Sequence, residues 1–161
     1  MGEIMKIKRC IYCFAPLNEG HQEEKEDQKS KHSTCPVCGY EDGLCMPNIR
    51  WLLPGTILKG SYMTGKLLED REKELIYLGW DLEKERKVEI HEYFPESWLE
   101  RDITASDRVI CKPGLEEHFN NGKQEFFEKA KIYYQCMSRL RKVFMDFFVR
   151  NDTCYYVRER K

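Results

Sequence analysis

The sequence predicts an α+β fold: a small cysteine-held ribbon followed by a twisted antiparallel sheet with one main helix. Three observations point there. Two Cys-x-x-Cys pairs, Cys10/Cys13 and Cys35/Cys38, open the chain. Short runs rich in β-branched and aromatic residues recur through its middle and again near its C-terminal end, separated by charged or Asn/Asp turns. One longer stretch, from about Lys123 to Met137, spaces its apolar residues at three- and four-residue steps.

At 161 residues the chain has room for one ordinary domain and a small module. The expected division is a ribbon over 1–46, a linker and lead-in over 47–60, and the sheet-and-helix domain over 61–161. A net charge of −1 and a pI near 6.4 give no electrostatic reason to expect nucleic acid or an anionic membrane as partner. With 34% charged residues and a mean hydropathy of −0.69 the chain should be soluble. No run approaches the roughly 18 apolar residues of a membrane span. The first residues lack the apolar centre of a secretory signal and the Ser or Thr of a myristoylation signal. The expected compartment is the cytoplasm, where thiols stay reduced and paired cysteines more often mean metal than disulfide.

Cys10-Ile11-Tyr12-Cys13 and Cys35-Pro36-Val37-Cys38-Gly39-Tyr40 are two knuckles with 21 residues between them. Four thiolates so paired can close tetrahedrally around Zn2+, and Gly39 suits the turn that aims backbone amides at the sulfurs. Cys10, Cys13, Cys35 and Cys38 are therefore the expected metal ligands. The bland alternative is buried thiols or disulfides, and His21 or His32 could replace one ligand. Residues 18–34 carry no apolar side chain beyond lysine stems, so they read as a solvated excursion. So small a ribbon has little core, and metal must supply most of its folding free energy. Lys6, Lys8 and Arg9 on one side and the acidic Glu23–Asp27 stretch on the other support a nucleic-acid role only weakly. Cys45, Cys111, Cys136 and Cys154 lack ligand spacing and read as plain thiols.

Gly43, Pro47 and Pro54 punctuate the connecting stretch from Glu41 to Gly55, whose Trp51-Leu52-Leu53 should dock on one module or the other. A first strand is expected from about Ser61 to Leu68. A second takes Leu75, Ile76, Tyr77, Leu78 and Trp80. A third takes Val88, Ile90, Tyr93 and Phe94 beyond the charged turn Leu82–Arg86. Residues 103–115 read as irregular, with Pro113-Gly114 marking a loop. The helix presents Phe126, Phe127, Ala130, Tyr133, Tyr134 and Met137 as one apolar face, with Asn120-Asn121-Gly122 as the break and candidate cap before it. Val143–Val149 and Thr153–Val157 close the chain as a hairpin turning at Arg150-Asn151-Asp152.

The order strand, Gly79-Trp80-Asp81, then Val88-Glu89-Ile90-His91-Glu92-Tyr93-Phe94-Pro95 resembles the start of a bacterial eukaryotic-like (Hanks-type) serine/threonine protein kinase. There a glycine-rich phosphate loop precedes Gly-Trp-Asp, and the third strand reads Val-Ala-Ile-Lys-Glu-Tyr-Phe-Pro. An N-terminal ribbon is also a layout of that family, and Leu53–Leu58 and Glu96–Asp102 are similar to its lead-in and its insert before the large helix. The resemblance implies a kinase-type small lobe, a twisted five-stranded antiparallel sheet with one helix. It also exposes the departures. The three loop glycines fall on Glu69, Arg71 and Glu74, the phosphate-pairing lysine on His91, and the adenine-floor alanine on Glu89. Glu69 to Glu74 carries four acidic side chains, which would repel a triphosphate. Glu128 aligns with the helix glutamate that pairs with the lysine, so an ion pair with His91 is one reading and an exposed helix residue the other. Arg158 stands where an apolar residue faces adenine.

No His-Arg-Asp, Asp-Phe-Gly or Ala-Pro-Glu motif occurs in these residues. The expectation is a pseudokinase fragment: not an enzyme, no ATP, with structural Zn2+ in the ribbon. It would act as a protein-binding or regulatory module, or self-associate, through the surface a large lobe would cover, exposing residues such as Tyr133, Tyr134, Phe144, Phe147 or Phe148. Two alternatives stand beside it: a nucleic-acid-binding ribbon regulator, and the small-lobe half of a split kinase.

Overall fold

The computed structural model describes residues 8–17, 34–41, 48–102, 106–138 and 145–160. Lys6, the Glu23–Asp27 stretch, His21, His32, Cys45 and Phe144 lie outside the described residues. Beyond the linker run β1 (Ile57–Leu58), β2 (Tyr62–Asp70), β3 (Glu74–Asp81) and β4 (Arg86–Tyr93). Then come β5 (Leu99–Arg101), β6 (Val109–Cys111), α1 (Glu116–Ser138), β7 (Met145–Arg150) and β8 (Thr153–Glu159). One antiparallel sheet has the order β1-β2-β3-β4-β8-β7, while β5 and β6 form a separate pair. The expected five long strands are present, and the two-residue β1 makes six. The stretch read as irregular contains β6, because Val109 is buried and its amide donates to the Asn151 carbonyl at 2.9 Å.

Strand register sorts the side chains onto two faces, since paired residues share a face. Leu75↔Glu92, Tyr77↔Ile90 and Gly79↔Val88 define one, which Tyr155 and Val157 extend. The sheet curls over this face until its far strands meet. Tyr62 of β2 stacks on Phe148 of β7 at 5.9 Å, its hydroxyl donates to Asp146 at 2.7 Å, and Lys59 pairs with Asp146 at 2.8 Å. Leu52, Phe94, Leu99 and Val109 join the buried interior.

Glu92 lies inside this core, fully buried. It accepts from the hydroxyls of Tyr77, at 3.0 Å, and Tyr155, and pairs with Arg101 of β5. Arg101 also donates to the carbonyls of Arg50 at 2.8 Å and Asp107 at 2.7 Å, and the Leu52 amide donates to Tyr77 Oη at 3.1 Å. The buried charge is therefore matched by a cation and hydrogen bonds, the condition under which an interior carboxylate is tolerated. Burial works to lower the Arg101 pKa, and the Glu92 carboxylate outweighs it and raises it.

The other face carries Ile76, Leu78 and Trp80 from β3, Glu89, His91 and Tyr93 from β4, and Tyr156 and Arg158 from β8. Helix α1 packs here: Phe119 stacks on Tyr93 at 5.8 Å, Phe126 contacts Tyr93 and Tyr156, and Phe127 contacts Phe147. The helix begins at Glu116, seven residues before the expected start at Lys123, and runs through Asn120-Asn121-Gly122. The Pro113-Gly114 turn, with Gly114 at φ 84°, fixes the start, and Glu116 and Glu117 suit the first turn. Gly122 sits mid-helix for a packing reason: a Cβ there would lie 1.7 Å from Tyr93 Oη. Phe119, absent from the expected apolar face, is buried, whereas Tyr133 (36%) and Tyr134 (41%) are exposed.

Candidate functional site

The positions aligned with a phosphate loop form a closed hairpin tip. Glu69 lies near the end of β2, Arg71 in the turn and Glu74 at the start of β3. The Arg71 amide donates to the Glu74 carbonyl at 2.9 Å, and its guanidinium meets the carboxylates of Glu69 at 2.6 Å and Glu74 at 3.6 Å. After β4 the chain returns to this tip, where Phe94 N donates to the Lys73 carbonyl at 2.9 Å. The amide a phosphate would need at Arg71 is thus already engaged.

On the face below the tip, Glu89, His91 and Arg158 come together. His91 is buried, stacked on Tyr156 at 4.2 Å, and hydrogen-bonded through Nδ1 to Glu74 and through Nε2 to Glu89 at 3.3 Å. Arg158 holds Glu89 Oε1 with Nε at 3.0 Å and Nη2 at 2.8 Å, and its Nη1 donates to the Tyr133 hydroxyl at 2.7 Å. Burial works to raise the pKa of both carboxylates and is outweighed, for Glu74 by the His91 hydrogen bond and for Glu89 by Arg158; both end below the ordinary value. Glu128 stands apart. It pairs with Lys131 at 3.5 Å on the exposed side of α1, so the His91–Glu128 ion pair does not form and the exposed-residue reading holds. Its distance from the site follows from α1, which turns Phe126 and Phe127 toward the sheet.

The four expected cysteines meet. Their sulfurs all lie within 4.8 Å of one another, with Cys10 Sγ–Cys38 Sγ and Cys13 Sγ–Cys35 Sγ both 3.8 Å. A tetrahedral site with Zn–S bonds of about 2.3 Å has S···S edges of roughly 3.8 Å, so the spacing fits a four-thiolate metal site. Each knuckle closes alike: Phe14 N donates to the Cys10 carbonyl at 2.8 Å and Gly39 N to the Cys35 carbonyl at 2.9 Å. Tyr12 and Tyr40 stack across the pair at 4.7 Å. The Cys35 thiol is drawn down to about 7, chiefly by hydrogen bonding from the Cys38 backbone.

The residue after each knuckle is left-handed, Gly39 at φ 74° and Phe14 at φ 60°. Glycine suits this conformation, whereas a phenylalanine there costs about 1 kcal/mol or more. Phe14 is 1% exposed because its ring packs on the sheet, 5.8 Å from Trp80. Beside it Arg9 lies 4.2 Å over Trp80, and the Tyr12 carbonyl accepts from the Lys66 amide at 2.9 Å. Lys66 is free to donate because β2 slips register with β3 between Thr64 and Leu67, a bulge at Gly65. Trp80 shares the face of Leu78, Glu89 and His91, so cysteine module and α1 cover the same side of the sheet.

Sequence reasoning named the cysteines, Glu89, His91 and Arg158, and Trp80 as a strand residue, but missed Phe14, Gly65, the docking role of Trp80 and the Glu92–Arg101 core. A bulky residue in the post-knuckle turn position, where the second knuckle has glycine, was the available signal for Phe14.

No protein-family model matches the chain, and no curated protein matches it. Among solved structures it is similar to one named PpkA-294 apo form, with a TM-score of 0.61 and 17% identity over 69% of this chain and 39% of that one. The chain thus spans well under half of that structure's length. The likeness is one of fold: a mostly antiparallel sheet with one helix, consistent with a small kinase-like lobe. Among the described residues, no helix is long and apolar enough to cross a membrane.

Proposed function

We propose that the chain is a pseudokinase-type small lobe with a structural zinc ribbon, acting as a non-catalytic protein-binding or regulatory unit. The observation that carries this reading is the occupied face: Glu74–His91–Glu89–Arg158 fills with mutual contacts the ground that phosphate and adenine would need. Zinc is the metal of choice because four thiolates at tetrahedral spacing favour it. The partner surface is the second half of α1. From Lys131 to Cys136 every residue is exposed, including Ile132 at 58% and Tyr134 at 41%.

A photo-crosslinking residue at Ile132, introduced in the native cell, tests the surface. One reproducible adduct, to a second copy or to another protein, that is lost on Tyr134→Asp supports it. A saturable stabilisation of the purified protein by ATP and magnesium would sink the non-catalytic part. The kinase-like fold likeness also supports a second reading, the small-lobe half of a split kinase. That reading requires phosphotransfer activity when a large lobe is added.

A further inference from the structure

On the face that carries α1, a cavity of about 350 Å3 opens between the start of β3 and the helix. This lies at the lower end of the ~300–1,000 Å3 typical of small-ligand sites. Its lining includes the aromatic rings of Tyr93, Phe126 and Trp98 and the side chains of Lys73 and Lys129. The Lys73 ammonium lies 5.8 Å from the Trp98 ring centre, so a cation and a stacking surface share one wall. Of the two lining carboxylates, Glu74 is already engaged by His91 and Arg71, which leaves Glu125 against two ammonium groups. His118, also lining the cavity, packs on Trp98 at 5.7 Å.

A second observation stands apart from this charge count. Tyr93 is only 3% exposed, and its buried hydroxyl has no hydrogen-bond partner among the described residues. Buried hydroxyls are seldom left so, and each one asks for a partner. That oxygen is pressed against Gly122 of α1 and has almost no accessible surface, so Tyr93 contributes its ring to the cavity wall.

We infer that this cavity is a binding site for a small planar aromatic carboxylate, its ring against Trp98 and Phe126 and its charge drawn to Lys73 and Lys129. The cavity borders the Glu74–His91–Glu89–Arg158 network through Glu74 and does not use the exposed Lys131–Cys136 surface.

The test is titration of the full chain with 1-naphthoate, and with 1-naphthamide as its neutral isostere, followed by NMR at the Trp98 indole N–H and the Gly122 amide. A saturable shift with the acid at both probes is expected, with weaker binding of the amide. Lys73→Ala and Lys129→Ala should each weaken the acid by roughly two- to fivefold, as for exposed charge pairs, without affecting the amide. No saturable shift at millimolar naphthoate, equal affinity for acid and amide, or a response at Trp51 or Trp80 instead would overturn the site. A saturable response of the Gly122 amide to ATP and magnesium would assign the cavity to a nucleotide instead.

Discussion

Gly65→Ala offers a clean test of how the cysteine module is attached. Gly65 does not need a left-handed backbone, so alanine brings only its methyl. That Cβ would lie 2.7 Å from the Phe14 ring and 2.7 Å from the Tyr12 carbonyl oxygen, both inside contact distance. The ring could turn aside; the carbonyl belongs to a knuckle whose shape is fixed. The module must therefore lift from the sheet. At stake are the Lys66–Tyr12 hydrogen bond, about 0.5–1.5 kcal/mol, the Arg9–Trp80 contact, about 0.5–1 kcal/mol, and part of the roughly 1.5–3 kcal/mol from burying Phe14. A partial lift should cost about 2–4 kcal/mol, the lower part of that sum. Hydrogen exchange at the Lys66 amide reads it directly, since about 1.4 kcal/mol is tenfold: exchange should quicken by roughly 30- to 1,000-fold. Phe14→Ala added to Gly65→Ala should recover little, because the Tyr12 carbonyl still blocks the methyl. If Lys66 keeps wild-type protection and the melting temperature is unmoved in Gly65→Ala, the docking geometry is wrong.

Three further outcomes follow from the same contacts. Stripping metal with a chelator, or replacing Cys13 and Cys35 by serine, should loosen both knuckles and shift Trp80 emission to the red while far-ultraviolet dichroism keeps its sheet signal; an unchanged emission maximum would refute the coupling. Arg101→Met leaves the fully buried Glu92 without its cation and should cost about 3–5 kcal/mol in urea unfolding, with Arg101→Met/Glu92→Leu recovering most of the loss. A single-variant loss below about 1 kcal/mol would show the pair to be dispensable. Glu74 and Glu89 titrate below the ordinary glutamate value of about 4.3, so their pairing stabilises the fold above that range. That stabilisation is lost as pH falls through the depressed values. Urea midpoints between pH 6 and pH 3 should fall less steeply in Glu89→Gln than in wild type, and parallel curves would refute the role of the network.

Local pattern made most of the strands legible, because alternation and β-branched runs at Leu75–Trp80 and Val88–Phe94 report directly on a half-buried pleat. The knuckles were legible for a similar reason: their chemistry sits in four-residue words. What pattern could not show was long-range. Asn120-Asn121-Gly122 reads locally as a break, and only Tyr93 passing beneath explains a glycine inside a helix. Phe119 was overlooked with it, and the apolar face shifted one turn toward the N-terminus. Glu92 and Arg101 each look like ordinary surface charges; their pairing depends on β5 folding back over the sheet. Sequence leaves Glu128 between an ion pair and an exposed helix position; the fold decides for the second, because His91 takes Glu74, from a different element, as its partner.

The way the sheet curls shut has a consequence for biosynthesis. Tyr62, Lys59 and the strand after them come off the ribosome long before Asp146 and Phe148, the residues that close the interior around them. Until the final hairpin clears the exit tunnel, β2 through β4 expose an apolar concave side with nothing to complete it. Contacts so distant in sequence are slow to form, so the unfinished sheet stays open to wrong pairings for longer than a locally paired one would.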